Sequence, residues 1–195
     1  MGLENVLNIP ELRKANLRII NLECVVSTLG EQGVNKGEGG PYYYRARPQM
    51  LELLTHVGID VVATANNHSG DYGSQALLQQ AEFLRDAGIS SVGTGENLNA
   101  AFSPVIKPVG DLKVAIFSVD ATQHRFAATK STAGSAHLPL NDPQAWIDTL
   151  APRIADARKR AQVVLVAVHW GENLRPEPSS DEIAVGHAII EAGAD

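Results

Sequence analysis

The chain of 195 residues contains a single cysteine, Cys24, so no intrachain disulfide can form and no disulfide framework organises the fold. No stretch approaches the roughly 18 consecutive apolar residues that cross a bilayer, and no signal peptide is visible at Met1. Positive charge is also short: 16 Lys and Arg face 22 Asp and Glu, a formal net charge of −6. One basic block lies within Arg153 to Arg160, where Arg158-Lys159-Arg160 reads as a solvated helix face. That balance argues against a nucleic-acid backbone as partner. Internal repeats and a domain linker are absent too. With 44% hydrophobic residues the chain has enough apolar material for one sizeable core, and residues 1–195 read as a single domain.

What is present alternates strand and helix, the signature of α/β architecture. A helical start around Pro10 to Asn16 leads into a strand from Leu17 to Leu22, and a glycine-rich excursion follows from Gly30 to Gly40. Pro48 opens a helix to Val57, Ile59 to Ala65 is a strand, and Tyr72 to Ala87 carries apolar residues at helical spacing before a short strand at Ile89 to Val92. Val105 to Val109 and Lys113 to Val119 are joined across Gly110-Asp111, a hairpin signal that implies antiparallel pairing. Pro143 to Arg160 is a long helix, Gln162 to Val168 a buried strand, and Ser179 to Ala192 a helix ending at Gly193. The loops at 31–44 and 120–140 are long enough to line a substrate groove, and Tyr42-Tyr43-Tyr44-Arg45 offers aromatic and cationic contacts there or an ordinary anchoring role.

Three of the strands end in polar residues that packing does not require. Gly58-Ile59-Asp60-Val61-Val62-Ala63-Thr64 runs into Ala65-Asn66-Asn67-His68-Ser69-Gly70-Asp71; turns favour Gly, Asn or Asp but gain nothing from His. Arg18 to Glu23 ends in a carboxylate, and Val163 to Val168 delivers His169-Trp170-Gly171-Glu172. Ligands of open α/β sheets bind just outside the carboxyl ends of strands, so these three ends predict one shared site. Glu oxygen, Asn oxygen and His nitrogen suit Mn, Fe, Zn or Mg better than a thiolate-seeking metal. An Asn carbonyl can ligate such an ion, and an adjacent His can protonate a leaving group.

Asn21-Leu22-Glu23, Ala65-Asn66-Asn67-His68 with Asp71-Tyr72-Gly73, and His169-Trp170-Gly171-Glu172 resemble the successive motifs of the bacterial capsule synthesis proteins of CapA type. Those proteins are associated with poly-gamma-glutamate capsule production and belong to the calcineurin-like metallophosphoesterase superfamily. The resemblance continues through Val92-Gly93-Thr94-Gly95, Asn97, Ala100-Ala101 and Pro104, and past the last motif to Gly193-Ala194-Asp195. It implies a sandwich of two mixed β-sheets flanked by helices, α/β/β/α. Family members also carry a first strand ending in Gly-Asp and a later Gly-His-x-His motif, neither found here. The resemblance therefore implies an internal piece of the domain, incomplete at both termini.

The same resemblance implies one or two divalent ions held by Glu23, Asn67 and His169, with His68 as catalytic imidazole. Asp71 either orients His68 or serves as a first-turn acid of the following helix. Asn21, Asn66 and Glu172 are expected to contact substrate, Glu172 alternatively pairing with Arg175. The expected partners are an anionic polymer or a phosphoester substrate and a capsule synthase, and the parent protein is expected at the cell envelope. A non-catalytic capsule-assembly accessory that binds the polymer or the synthase is the competing expectation. His56, His124, His137 and His187 are assigned no metal, His124 being a candidate substrate contact because its loop follows a strand. A cysteine hydrolase pairing Cys24 with His68 or His169 is a weaker third reading, since a lone cysteine is more often a buried small residue.

Overall fold

Residues that alternate between two apolar environments along a strand mark a sheet covered on both faces. This pattern governs the computed structural model, which describes residues 9–33, 35–37 and 39–195. The reading at Met1, and Val34 and Glu38 of the glycine-rich excursion, lie outside the described residues.

In chain order the strands are β1 (Ile19–Asn21), β2 (Val25–Val26), β3 (Arg45–Ala46), β4 (Val61–Ala63), β5 (Ser90–Val92), β6 (Thr94–Gly95), β7 (Val105–Val109), β8 (Leu112–Asp120), β9 (Gly134–Ser135) and β10 (Val163–His169). The helices are α1 (Pro10–Lys14), α2 (Met50–Val57), α3 (Gly73–Asp86), α4 (Leu98–Ala101), α5 (Pro143–Ala157) and α6 (Ser180–Glu191). One sheet has the order β1-β4-β5 and is parallel throughout. The other has the order β10-β8-β7, β10 lying parallel and β7 antiparallel to β8. Two-stranded ribbons, β2-β3 and β6-β9, complete the pairing.

Three apolar clusters define the layers. Val61 and Val92 of the first sheet meet Val114 and Ile116 of the second, forming the seam between them. Val62, one residue on from Val61, faces the other way and packs with Leu51 of α2 and Leu84 of α3. Likewise Ala115, Phe117 and Val119 of β8 turn from the seam toward Trp146, Leu150 and Ile154 of α5 and Val185 and Ile189 of α6. The architecture is thus a mixed α/β sandwich with helices on both outer faces, α/β/β/α. Among the described residues, no helix is long and apolar enough to cross a membrane.

Local signals explain most boundaries. Gly110, at φ +59°, makes the tight turn of the β7-β8 hairpin. Pro108 sits on β7, an edge strand, where its missing N–H costs little. Helix α6 begins with a capping box between Ser179 and Glu182. Several elements are shorter than their sequences predict, β1, β4 and α5 among them. β1 starts at Ile19 because the Arg18 N–H donates to the Asp60 side chain rather than to a ladder. α5 ends at Ala157, the Arg160 N–H closing a tighter turn onto the Ala157 carbonyl.

Candidate functional site

β1 and β10 are edge strands of the two facing sheets, and both end at the same place: the Asn21 amide nitrogen stands 3.5 Å from His169 Nδ1. The loop after β4 fills the space beside them. Asn67 Oδ1 lies 2.9 Å from His169 Nε2, so the first sheet's central loop and the second sheet's edge strand touch through two candidate ligands. Asn21 donates to Glu23 Oε2 at 3.0 Å, and Glu23 Oε1 is 3.9 Å from His68 Nε2. The structure therefore brings Glu23, Asn67, His68 and His169 to one cleft of about 590 Å³, whose mouth includes Glu172.

His68 is held on its other side. Its Nδ1 is 2.6 Å from Asp71 Oδ2, and Asp71 is fully buried. The N-cap of α3 is Tyr72, with no side-chain cap bond, so Asp71 is not spent on the helix. Its Oδ2 instead accepts the Tyr44 N–H at 2.7 Å, while Oδ1 pairs with Lys36 Nζ at 2.7 Å. The Tyr44 ring stacks on the imidazole with centroids 4.1 Å apart.

Asn66 occupies a different position from the one expected. It is fully buried, its amide nitrogen donating to Asn21 Oδ1 and the Leu22 carbonyl while its oxygen accepts the His68 N–H. Both amide hydrogens and one oxygen lone pair go into fixing the loop, and it is not among the residues lining the cleft. Asn21 retains an exposed side, and Glu172 is mostly exposed, 4.0 Å from Arg175. Cys24 packs against the outer cluster of the first sheet. Burial, aided by the Asp71 and Glu23 charges, pushes its thiol up, the reverse of what a nucleophile needs.

His124 and His137 form an edge-on ring pair with centroids 6.4 Å apart, His137 bridging to Asp120 at the end of β8. Burial holds His137 below the usual imidazole range, partly offset by the Asp120 charge. Asp120 is itself consumed by the Thr122 N–H, the Thr122 hydroxyl and the Gln123 N–H. The sequence reading missed Lys36, Asp120 and Gln123. A lone lysine among glycines carries no local signal, because its partners His68 and Asp71 lie 32 and more positions away.

The 2.9 Å between Asn67 Oδ1 and His169 Nε2 is a hydrogen-bond distance, just below the roughly 3.0–3.4 Å that separates neighbouring donors held at about 2.1 Å by one divalent ion, so a shared ion would require the two side chains to part slightly. Glu23 adds a carboxylate. Among the described residues no group of three or more His, Cys, Asp or Glu is placed to hold a metal. By type, an amide oxygen, an imidazole nitrogen and a carboxylate are donors that a hard or borderline divalent ion accepts.

The sequence profile of the bacterial capsule synthesis protein family, PGA_cap, matches residues 3–195. A Mycobacterium tuberculosis protein named "Probable polyglutamine synthesis accessory protein" is 32% identical over 184 residues, 91% of this chain and 47% of the relative. The capsule biosynthesis protein CapA of Bacillus anthracis is 30% identical over 151 residues, 77% of this chain and 36% of CapA. The chain thus spans less than half the length of these curated relatives. Among solved structures, the Thermus thermophilus sulfate thiohydrolase SoxB superposes with a TM-score of 0.41 at 15% identity, over 62% of this chain and 22% of SoxB.

Proposed function

This chain belongs to the bacterial capsule synthesis protein family, and we propose that it serves capsule polymer production as a metal-dependent hydrolase. Its substrate would be a phosphoester or an anionic polymer of the polyglutamate kind. The observation that carries this reading is the 2.9 Å approach of Asn67 Oδ1 to His169 Nε2 beside the His68–Asp71 pair. That hydrogen bond joins side chains delivered by the two sheets to the cleft that also holds Glu23 and His68.

Glu23, Asn67 and His169 are the residues that would hold the ion. When bound, a divalent ion of the Mn, Fe, Zn or Mg type supplies Lewis acidity and the positive charge that a chain of net charge −6 lacks toward an anionic substrate. His68 has Nδ1 committed to Asp71, so Nε2 is the nitrogen free to exchange a proton with the reacting group. Asn66 keeps the loop between these donors in one conformation. Tyr44 and Glu172 line the cleft that substrate would enter, and Asn21 bonds Glu23 beside it. A capsule synthase is the protein partner this reading implies.

The second reading is a non-catalytic accessory that binds polymer or synthase, and the word "accessory" in the name of the mycobacterial relative favours it. Metal content of the purified, dialysed chain separates the two, measured by plasma emission beside Asn67→Ala and His169→Ala. Near-stoichiometric metal lost in both variants, with hydrolysis of phosphoester or gamma-glutamyl substrates lost in parallel, is the expected result. Polymer binding that survives both substitutions, with no metal and no turnover in the wild-type chain, would overturn the hydrolase reading in favour of the accessory.

A further inference from the structure

Lys36 is a buried ionisable group that the proposed chemistry leaves unused. Its side chain is fully buried, with Nζ in an ion pair with Asp71 Oδ1 at 2.7 Å and donating to the Tyr42 carbonyl at 2.9 Å. Nζ also stands 3.2 Å from His68 Nδ1. We propose that Lys36 is a positioning residue for the imidazole: it aims the Asp71 carboxylate at His68 so that Nδ1 carries the ring proton and Nε2 is presented bare to the cleft.

The hydrogen-bond arithmetic leads there. Asp71 Oδ2 accepts the Tyr44 N–H and lies 2.6 Å from Nδ1. A bare Nδ1 would set two lone pairs against each other at that distance, so Nδ1 must be the donor. A donor at Nδ1 cannot also accept from Lys36, which leaves the ammonium to its bond with the Tyr42 carbonyl and its ion pair with Asp71 Oδ1. The lysine therefore acts on the ring only through the carboxylate. An isolated carboxylate in this water-excluded position would be strongly unfavourable, so the ammonium is what keeps Asp71 an acceptor. Lys36 is in turn anchored from a third region, since the buried Gln123 amide donates to the Lys36 carbonyl at 2.9 Å.

The inference rests on the reading of His68 as the proton-exchanging group, but its test does not need turnover. Long-range nitrogen–proton correlation spectra of the histidine rings tell a protonated ring nitrogen from a bare one. The wild-type chain should show His68 protonated at Nδ1. Lys36→Met should move the ring pattern toward that of Asp71→Asn. In the Asp71→Asn background, adding Lys36→Met should leave the pattern unchanged, and this double variant carries no unpaired buried charge that would prevent folding. A wild-type ring protonated at Nε2 would overturn the proposal, as would a further shift on adding Lys36→Met to Asp71→Asn. If phosphoester turnover is present, Lys36→Met should lower kcat at least tenfold with KM unchanged. A wild-type chain with no turnover refutes the hydrolase reading, while the ring spectra still decide the role of Lys36.

Discussion

Replacing Lys36 with Met removes one partner of an ion pair whose two side chains are both fully buried, 2.7 Å apart. Breaking such a pair from one side costs about 3–5 kcal/mol, because the remaining charge is stranded. Against the roughly 5–15 kcal/mol that holds a typical domain together, that is a large fraction, equivalent to about a 100- to 5,000-fold change in the folded-to-unfolded ratio. Asp71→Asn should cost a similar amount, leaving the ammonium stranded instead. The double variant, Lys36→Met with Asp71→Asn, strands neither charge and forfeits chiefly the Lys36 bond to the Tyr42 carbonyl, worth about 1 kcal/mol. It should therefore lie within about 2 kcal/mol of wild type, giving a coupling energy of at least about 4 kcal/mol. Urea denaturation followed by circular dichroism measures all four proteins, with constant m-values as the check that one transition is being compared. Additive single losses, or a Lys36→Met cost below about 1 kcal/mol, would refute the claim that the pair is buried and coupled.

Three other outcomes are expected. Gly93→Ala should destabilise by about 2–5 kcal/mol, since φ is +106° and the added Cβ would lie 2.7 Å from both Ala65 Cβ and Ser118 Oγ; a thermal midpoint equal to wild type would contradict the close approach. Trp146→Ala removes a fully buried ring from the α5 side of the second sheet and its bond to the Pro139 carbonyl, at a cost of about 3–5 kcal/mol by denaturant titration. The folded state disfavours protonated His137, whose value is lowered from 6.5 chiefly by burial, so this group's contribution is present above 6.5 and is lost as pH falls through that value toward the lowered one. Stability measured across that window should fall less in His137→Asn than in wild type.

The layered fold was legible where sequence runs are long enough to show a period. Val163 to Val168 and the residues around Gly110-Asp111 announced β10 and the β7-β8 hairpin because aliphatic continuity and a two-residue turn are local properties. β2, β3, β6 and β9 were not legible: each is two residues long, and their pairing is decided by distant partners. The same division applies to the cleft. Asn67 and His169 stand at strand ends, where topology brings ligand-bearing residues together, and the structure places them in contact. Asn66 shares the same motif, yet its side chain points back into the protein; sequence cannot assign the facing of consecutive residues in a loop. Lys36 carried no signal at all, its meaning arising only from the carboxylate it meets.

The Gln123 bond to the Lys36 carbonyl spans 87 positions of chain, and from Lys36 the contacts run on to Asp71 and His68. Orientation of the imidazole is thereby tied to segments on either side of the sandwich that become neighbours only when both sheets have assembled. A partly folded chain can possess the motif after β4 and still hold His68 in no fixed pose. The pose of His68 is in this sense a readout of tertiary assembly, and a chain that fails to close its two long loops would lose it while keeping every residue of the motif.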